Sequence, residues 1–465
     1  MRARPDQAGP GAAVRGGARL TARSSGTVAA LAAAAFLISL AAYAADVAVH
    51  PGLLNWFDLG VYDHAGLITR HDPAELYSWQ LSPGVKFTYT PFAALVFAVC
   101  SVLPVHVSHW LMTVISIAAL AATAWLTFSA LGWRGRSRVT AVLAVAALAL
   151  WTEPVLRALQ LGQIELLLMA LVVWDLCQDD RRWWKGAGTG IAAGIKLVPL
   201  IFIVYLMLCG RLRQAAAATA ALACTVAAGF AILPRPSSNW WLTGYFLRPG
   251  NVGGVASLVN QSLSALITRA MASVTAGTPV WLAAAALTAV AGLAAAALLH
   301  RTGRPVAGWV TCALTGLLVS PVSWDHHWVW IVPVLALLTD LAVRARGTAR
   351  GGYWLLFVAT AAVFGGWPDR WTGPLALVPD GLLGFFIGPH PVHEMYHLRE
   401  FQLISWNLFV VAGLLMLAFA LGTAVRAARA SPAGARPAGA RPAGPSPAGP
   451  SPAAAASPSS GAPDR

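Results

Sequence analysis

Apolar residues fill this chain in runs broken by short polar links. Many of these runs have the roughly 20-residue length that a helix needs to cross a hydrocarbon core. The first extends from Thr27 to Val47, and the last ends just before Ala430. Apolar and polar positions do not alternate within them, which excludes the strands of an outer-membrane barrel. The pattern predicts an all-α integral membrane protein, a polytopic bundle of roughly ten to thirteen transmembrane helices. Two stretches resist a simple count. Residues 89–131 have to cross an odd number of times, so either 89–104 or part of 105–131 is re-entrant. Residues 186–209 have basic flanks at both ends and Pro199 in the middle, which suits a broken pair of half-helices.

Composition agrees. Of 465 residues, 57% are hydrophobic and 11% charged, against roughly 25% charged in a soluble domain. The formal net charge is +14, and nearly all the basic charge is arginine, since lysine occurs only at Lys86, Lys185 and Lys196. The arginines sit between spans, where they set orientation, so no nucleic-acid partner is expected. The five cysteines have no paired spacing and read as small buried hydrophobes.

Residues 1–26 form a basic segment expected in the cytoplasm. The apolar stretch after it is longer than the core of a cleavable signal peptide, so it reads as a first span. Residues 430–465 are a Ser/Pro/Ala/Gly repeat, expected to be a disordered cytoplasmic tail. Between these ends, arginine-bearing links at 134–138, 181–182, 211–213, 301–304, 344–350 and 426–429 mark cytoplasmic turns. Roughly 48–88, 153–163, 235–262, 320–327 and 367–401 then fall on the outer side. Such a protein is expected in the plasma membrane as a multi-pass enzyme or carrier, among membrane lipids, with its site facing away from the cytoplasm.

With so few charges, each polar residue in or beside a span is informative. Asp58 follows the first span and opens an amphipathic stretch suited to the interface, with Tyr62, Asp63 and, further on, Tyr89. A carboxylate there can deprotonate an incoming hydroxyl; the plainer reading is a loop aspartate that caps a short helix. In the next outer segment Arg157 is a candidate cation and Gln163 a hydroxyl-binding amide, while Glu165 reads best as a charge offsetting a helix dipole. Lys196 lies mid-run, about ten residues from either basic flank, too far to snorkel easily; a lysine there suits an anionic lipid phosphate. Asn260 and Gln261 close a loop rich in aromatic residues and are placed either to bind sugar hydroxyls or to cap the next helix. Trp324, Asp325, His326 and His327 share one short outer turn. Roles open to them are sugar stacking by Trp324, phosphate binding by a histidine, and orientation of that histidine by Asp325. Adjacent ligands suit one metal poorly, so no metal is expected. His393-Glu394-Met-Tyr-His397 fits a five-residue zinc-protease pattern, but it sits in a loop after Gly388-Pro389.

All these groups come from distant parts of the chain, and the arginine-derived topology sends them to one outer face. No nucleotide-binding motif appears on the inner side. A donor reaching an outer cavity without nucleotide would be lipid-borne.

Asp58-Leu-Gly-Val-Tyr62, Leu76-Tyr77 and Phe87-Thr-Tyr89-Thr-Pro91 together resemble the first-loop signature of glycosyltransferase family 87. Its members are polyprenol-phosphate-mannose-dependent α-mannosyltransferases of actinobacteria, within the GT-C superfamily. Gly162-Gln163, Ile195-Lys196-Leu-Val-Pro199, Asn260-Gln261-Ser262 and Ser320-Pro321 through His326-His327 are similar to further family elements, in order, between about residues 55 and 330. Residues 367–401 and the tail match no family pattern. The resemblance implies a GT-C catalytic domain over 27–429 with an outer-face cavity. It implies inverting transfer of mannose from polyprenyl phosphate mannose to a glycolipid, glycan or glycoprotein hydroxyl, with Asp58 as general base. Lys196, His326, His327 and Arg157 would then bind the donor phosphate, and no cofactor beyond the lipid-linked donor is expected. The rivals are transfer of another polyprenyl-phosphate sugar such as arabinofuranose, a lipid or sugar transporter, and a membrane metalloprotease.

Overall fold

A computed structural model describes residues 11–248, 254–366, 382 and 400–430. The His393–His397 pattern and the tail from 431 onward lie outside the described residues. Helices dominate those residues, with one small antiparallel hairpin, Gln80–Ser82 against Val85–Lys86. Six helices combine length and apolar composition sufficient to cross a membrane: Gly26–Val49, Val105–Ala130, Leu212–Ile232, Val274–Arg301, Asp325–Arg344 and Leu408–Ala430. A seventh span results if the pair Glu153–Leu161 and Glu165–Leu176, bent by 117°, is counted as one. The chain is a multi-pass membrane protein. Large side chains such as Leu37, Val114, Leu287 and Val290 stand exposed on these helices, as expected of surfaces that face lipid.

Both ambiguous stretches have a clear form. Residues 91–100 make a short helix packed on the amphipathic helix Phe57–His71, and the full-length crossing begins only at Val105. Residues 187–208 are two nine-residue helices, Ala187–Ile195 and Leu200–Leu208. The break comes where Lys196 turns extended (φ −139°, ψ 130°) and Pro199 starts the second helix. Gly186, Gly190 and Gly194 recur every fourth residue. Side chains there would collide with Gln214, Ala218 and Thr225 of Leu212–Ile232, so the stripe permits close contact between the two helices.

The bundle has two polar ends. At one end lie Asp58, Gln163, Glu165, Lys196 and the His326–His327 pair; at the other lie Asp180, Arg211, His300 and Asp340. The helix Val105–Ala130 runs between them, with His109 bonded near the first end and Ala130 lining a cavity at the second.

Candidate active site

Gly162 builds the first part of the site. Glu153–Leu161 ends on it with φ +68°, a left-handed conformation that favours glycine. A Cβ at this position would also come within 2.7 Å of Leu59 Cβ and 3.2 Å of the Trp56 ring. The turn therefore seats the amphipathic helix directly against Gln163. Trp56 N–H donates to Gln160 O at 2.8 Å, and Gln163 Nε2 donates to Asp58 Oδ2 in a very short contact. Gln163 Oε1 accepts from Tyr62 at 2.6 Å and from Tyr89 at 3.2 Å, and the two phenols are 2.7 Å apart. Asp58 is thus held on one side by a buried amide that two buried or half-buried tyrosines fix in turn.

The network continues. Lys196 Nζ donates to Tyr89 Oη at 3.3 Å and to His327 Nε2 at 3.0 Å, and it pairs closely with Glu165 Oε1. Thr90 secures the break that presents Lys196: its hydroxyl donates to Gly194 O at 2.5 Å and accepts from Ala93 N–H. A second branch runs from Arg157, whose Nε donates to Asp325 Oδ2 at 3.2 Å. Asp325 Oδ1 in turn lies 3.1 Å from His326 Nδ1. That partnership leaves His326 Nε2 pointing into the cluster without a hydrogen-bond partner, as is Glu165 Oε2. Both residues are more than nine-tenths buried, where an unpaired polar atom costs about 1–3 kcal/mol.

Burial raises the pKa of Asp58; His326, Gln163 and Lys196 pull it back while Glu165 pushes it further up. The result is a carboxylate more basic than usual, still close enough to His326 to feel its charge. Tyr62 is raised well above its usual value, burial first and its neighbours Tyr89, Glu165 and Asp58 next. It remains a neutral donor at any working pH.

Glu165, His326 and His327 each bring one possible metal-ligand atom to within 4.8 Å of the others. The Lys196 ammonium lies against Glu165 and His327 at the same point.

Several expected residues are engaged differently. Asp63 points away from Asp58 and accepts from Ser108 at 3.3 Å, with His109 Nε2 at 3.1 Å, anchoring the amphipathic helix to Val105–Ala130. Asn260 and Gln261 are fully buried and hold backbone rather than an open surface. Asn260 reaches Val255 O, Pro321 O and Ser323 N–H, and Gln261 reaches Leu258 O, Trp406 O and Phe409 N–H. The Asn260 amide, with the backbone bonds Gln261 N–H to Ser323 O and Asp325 N–H to Val259 O, ties 259–261 to 323–325 and so places Asp325 and His326. His327 Nε2 lies 3.0 Å from Lys196 Nζ and 3.3 Å from Glu165 Oε1, within the same cluster. Trp324 is half-buried and pairs through its backbone with Asn260.

Glu165 is the member that the sequence reading assigned to a helix dipole. It does open the helix Glu165–Leu176, but it also supplies the carboxylate partner of Lys196. The signal was available: a buried lysine in an apolar chain needs a carboxylate. His109, the partner of Asp63, was also missed.

Glycosyltransferase family 87 matches residues 87–321, a stretch that contains Tyr89, Gln163, Glu165 and Lys196 and stops on either side of Asp58 and His326. Two curated relatives come from Mycobacterium tuberculosis. One, from strain CDC 1551 / Oshkosh, is a polyprenol-phosphate-mannose-dependent alpha-(1-2)-phosphatidylinositol pentamannoside mannosyltransferase, 33% identical over 69% of this chain and 75% of its own length. The other, from strain H37Rv, is a polyprenol-phosphate-mannose-dependent alpha-(1-2)-phosphatidylinositol mannoside mannosyltransferase, 29% identical over 72% of this chain and 78% of its own. A pentamannoside mannosyltransferase of Mycolicibacterium smegmatis is 30% identical over 69% and 78%. No solved structure gives a significant match.

Proposed function

This chain belongs to glycosyltransferase family 87 and is a hexosyltransferase, and from that premise we propose that it moves mannose from polyprenyl phosphate mannose to a hydroxyl of a phosphatidylinositol mannoside or related glycolipid. The reaction would invert the anomeric centre, on the face of the plasma membrane away from the cytoplasm. The observation that carries this reading is Asp58: a half-buried carboxylate with raised pKa, fixed by Gln163 near Lys196 and His326.

In the proposed step the acceptor oxygen attacks the anomeric carbon while Asp58 Oδ removes its proton. The bond from that carbon to the phosphate oxygen breaks, and polyprenyl phosphate leaves with the electron pair. Its charge is met by Lys196 and by His326 Nε2 when the imidazole carries its second proton, held through Nδ1 by Asp325 and Arg157. Because a phosphate monoester departs readily as its dianion without being protonated, no second carboxylic acid is required, unlike glycoside hydrolysis. The step needs no metal; the preorganised ammonium supplies the positive charge. The arginine-rich links at the other end orient the site outward by the positive-inside rule.

The reading is tested in membranes containing the protein, supplied with radiolabelled polyprenyl phosphate mannose and phosphatidylinositol mannosides of increasing mannose number. Label should enter a lipid acceptor through an α linkage. Label that enters only from polyprenyl phosphate arabinofuranose, or a product of retained configuration, would overturn it.

A further inference from the structure

At the end of the bundle opposite Asp58 lies a small cavity of about 80 Å³. Its polar rim is Asp180, Lys185, Arg211, Gln214 and His300, and its wall includes Leu206, Val306 and Trp309. Two more cations stand beside it. Arg213 Nη2 reaches the Asp180 carbonyl, and Arg301 Nη2 donates to Leu208 O at 2.6 Å.

The charges do not balance. Lys185 Nζ lies 2.8 Å from Asp180 Oδ1 and Arg211 Nη1 2.5 Å from Oδ2, so one carboxylate serves both, and Gln214 Nε2 adds a third donor at 3.0 Å. Burial acts to raise the pKa of Asp180, but Lys185 and Arg211 outweigh it and hold the group lower than usual. His300 brings no compensating negative charge, since its Nε2 accepts from Arg211 Nε at 3.3 Å and its Nδ1 meets Tyr205 Oη at 3.1 Å. Lys185 and Arg211 on the lining, with Arg213 and Arg301 beside it, therefore have a single lining carboxylate, Asp180, at a cavity whose inner wall is apolar.

The neighbouring loop points to the depth at which this happens. Trp183 is 81% exposed, Trp184 stacks on Trp174 with centroids 5.3 Å apart, and Arg182 lies over the Trp184 ring. Tryptophans in such a setting prefer the headgroup level of a bilayer.

We propose that this cavity binds a phosphate anion carried on a lipid, the headgroup of an anionic phospholipid, with its phosphate among Lys185, Arg211 and Arg301 at the cavity mouth. A basic pocket between helices with an apolar floor is the chemistry that such headgroups select. Occupancy neutralises the excess charge and ties together the links before Ala187, before Leu212 and after Arg301.

The test is thermal unfolding of the detergent-purified full-length protein with dioctanoyl phosphatidylglycerol, dioctanoyl phosphatidylcholine or inorganic phosphate. Phosphatidylglycerol should raise the midpoint by several degrees, with an effect that weakens as salt rises. Arg211→Gln should weaken the half-saturating concentration at least tenfold, and Arg211→Lys should restore part of it. Equal protection by phosphatidylcholine overturns the proposal as general lipid solvation. Equal protection by inorganic phosphate overturns the lipid assignment. An unchanged response in a folded Arg211→Gln protein overturns the site. Mannosyl transfer by Arg211→Gln in detergent without added anionic lipid, which should match wild type, shows that the variant is folded.

Discussion

One helix, Glu165–Leu176, carries a buried carboxylate at each end, and the two are treated in opposite ways. Asp175 accepts from the backbone N–H groups of Gly186, Gly188 and Thr189 and from the Thr189 hydroxyl. Every lone pair has a use within the protein, and the group fixes the start of Ala187–Ile195. Glu165 has Lys196 and His327 on one oxygen and no partner on the other. The contrast repeats at larger scale. Both oxygens of the exposed Asp180 are taken by lysine, arginine and glutamine, and Asp340 Oδ1 accepts from Arg344 and Trp133, whereas the Asp58 end retains unpaired buried atoms on Glu165 and His326. Saturated buried charge holds helices together; unsaturated buried charge waits for a substrate.

Substitutions can break this comparison. Asp175→Ala should be the most damaging to the fold, because it strands several buried N–H groups at about 1–3 kcal/mol each. A large fall in the thermal midpoint and in yield from membranes is expected. Glu165→Gln should lower the midpoint less than Asp175→Ala, because Lys196 keeps Tyr89 and His327 as partners, and should act mainly on turnover. If the two substitutions destabilise equally, the contrast between the helix ends is wrong.

Lys196→Met should lower kcat/KM for the lipid-linked donor by roughly a hundredfold, the scale of losing one preorganised donor to a developing anion. Assay at saturating acceptor separates this from an acceptor effect. The pH dependence is a finer probe. Asp58 must be ionised to act, and burial followed by Glu165 raises its pKa, so activity should fall as pH drops through a value above the usual carboxylate range of about 4. Removing the Glu165 charge in Glu165→Gln should move that acid limb to lower pH. A limb that stays in place, or moves up, contradicts the assigned electrostatics. The smallest effect belongs to the saturated end: Arg344→Gln breaks the 2.5 Å pair with Asp340. With the arginine side chain mostly exposed, the stability change should stay within about 1 kcal/mol.

Much of this was legible in the sequence because charge is so sparse. Asp58, Gln163, Tyr62, Tyr89, Lys196 and His326 were singled out one by one; the first five are joined by hydrogen bonds, and His326 sits beside them against His327. Pro199 and the basic flanks announced the broken pair around Lys196. What could not be read was partner choice. Asn260 and Gln261 look the same in sequence whether their amides face a sugar or a carbonyl, and only the contact between 259–261 and 323–325 decides. Asp63 and Asp58 lie five residues apart on an amphipathic helix, and which of them faces the cluster depends on where His109 packs. Glu165 was read by its local position at a helix start, while its partner lies 31 residues away. The helix count was harder for a related reason: Pro91–Cys100 and Pro305–Val319 are apolar but short, so hydropathy alone cannot say which of them crosses.

The central claim is that Asp58 accepts the acceptor's proton. Its most direct test is transfer of radiolabelled mannose from polyprenyl phosphate mannose by purified wild-type and Asp58→Asn proteins of equal thermal midpoint. Asparagine keeps the contact to Gln163 but cannot take a proton, so turnover should fall by a factor of about 10²–10⁴ with little change in donor KM. Turnover within a few-fold of wild type, in protein shown to be folded, would contradict the account.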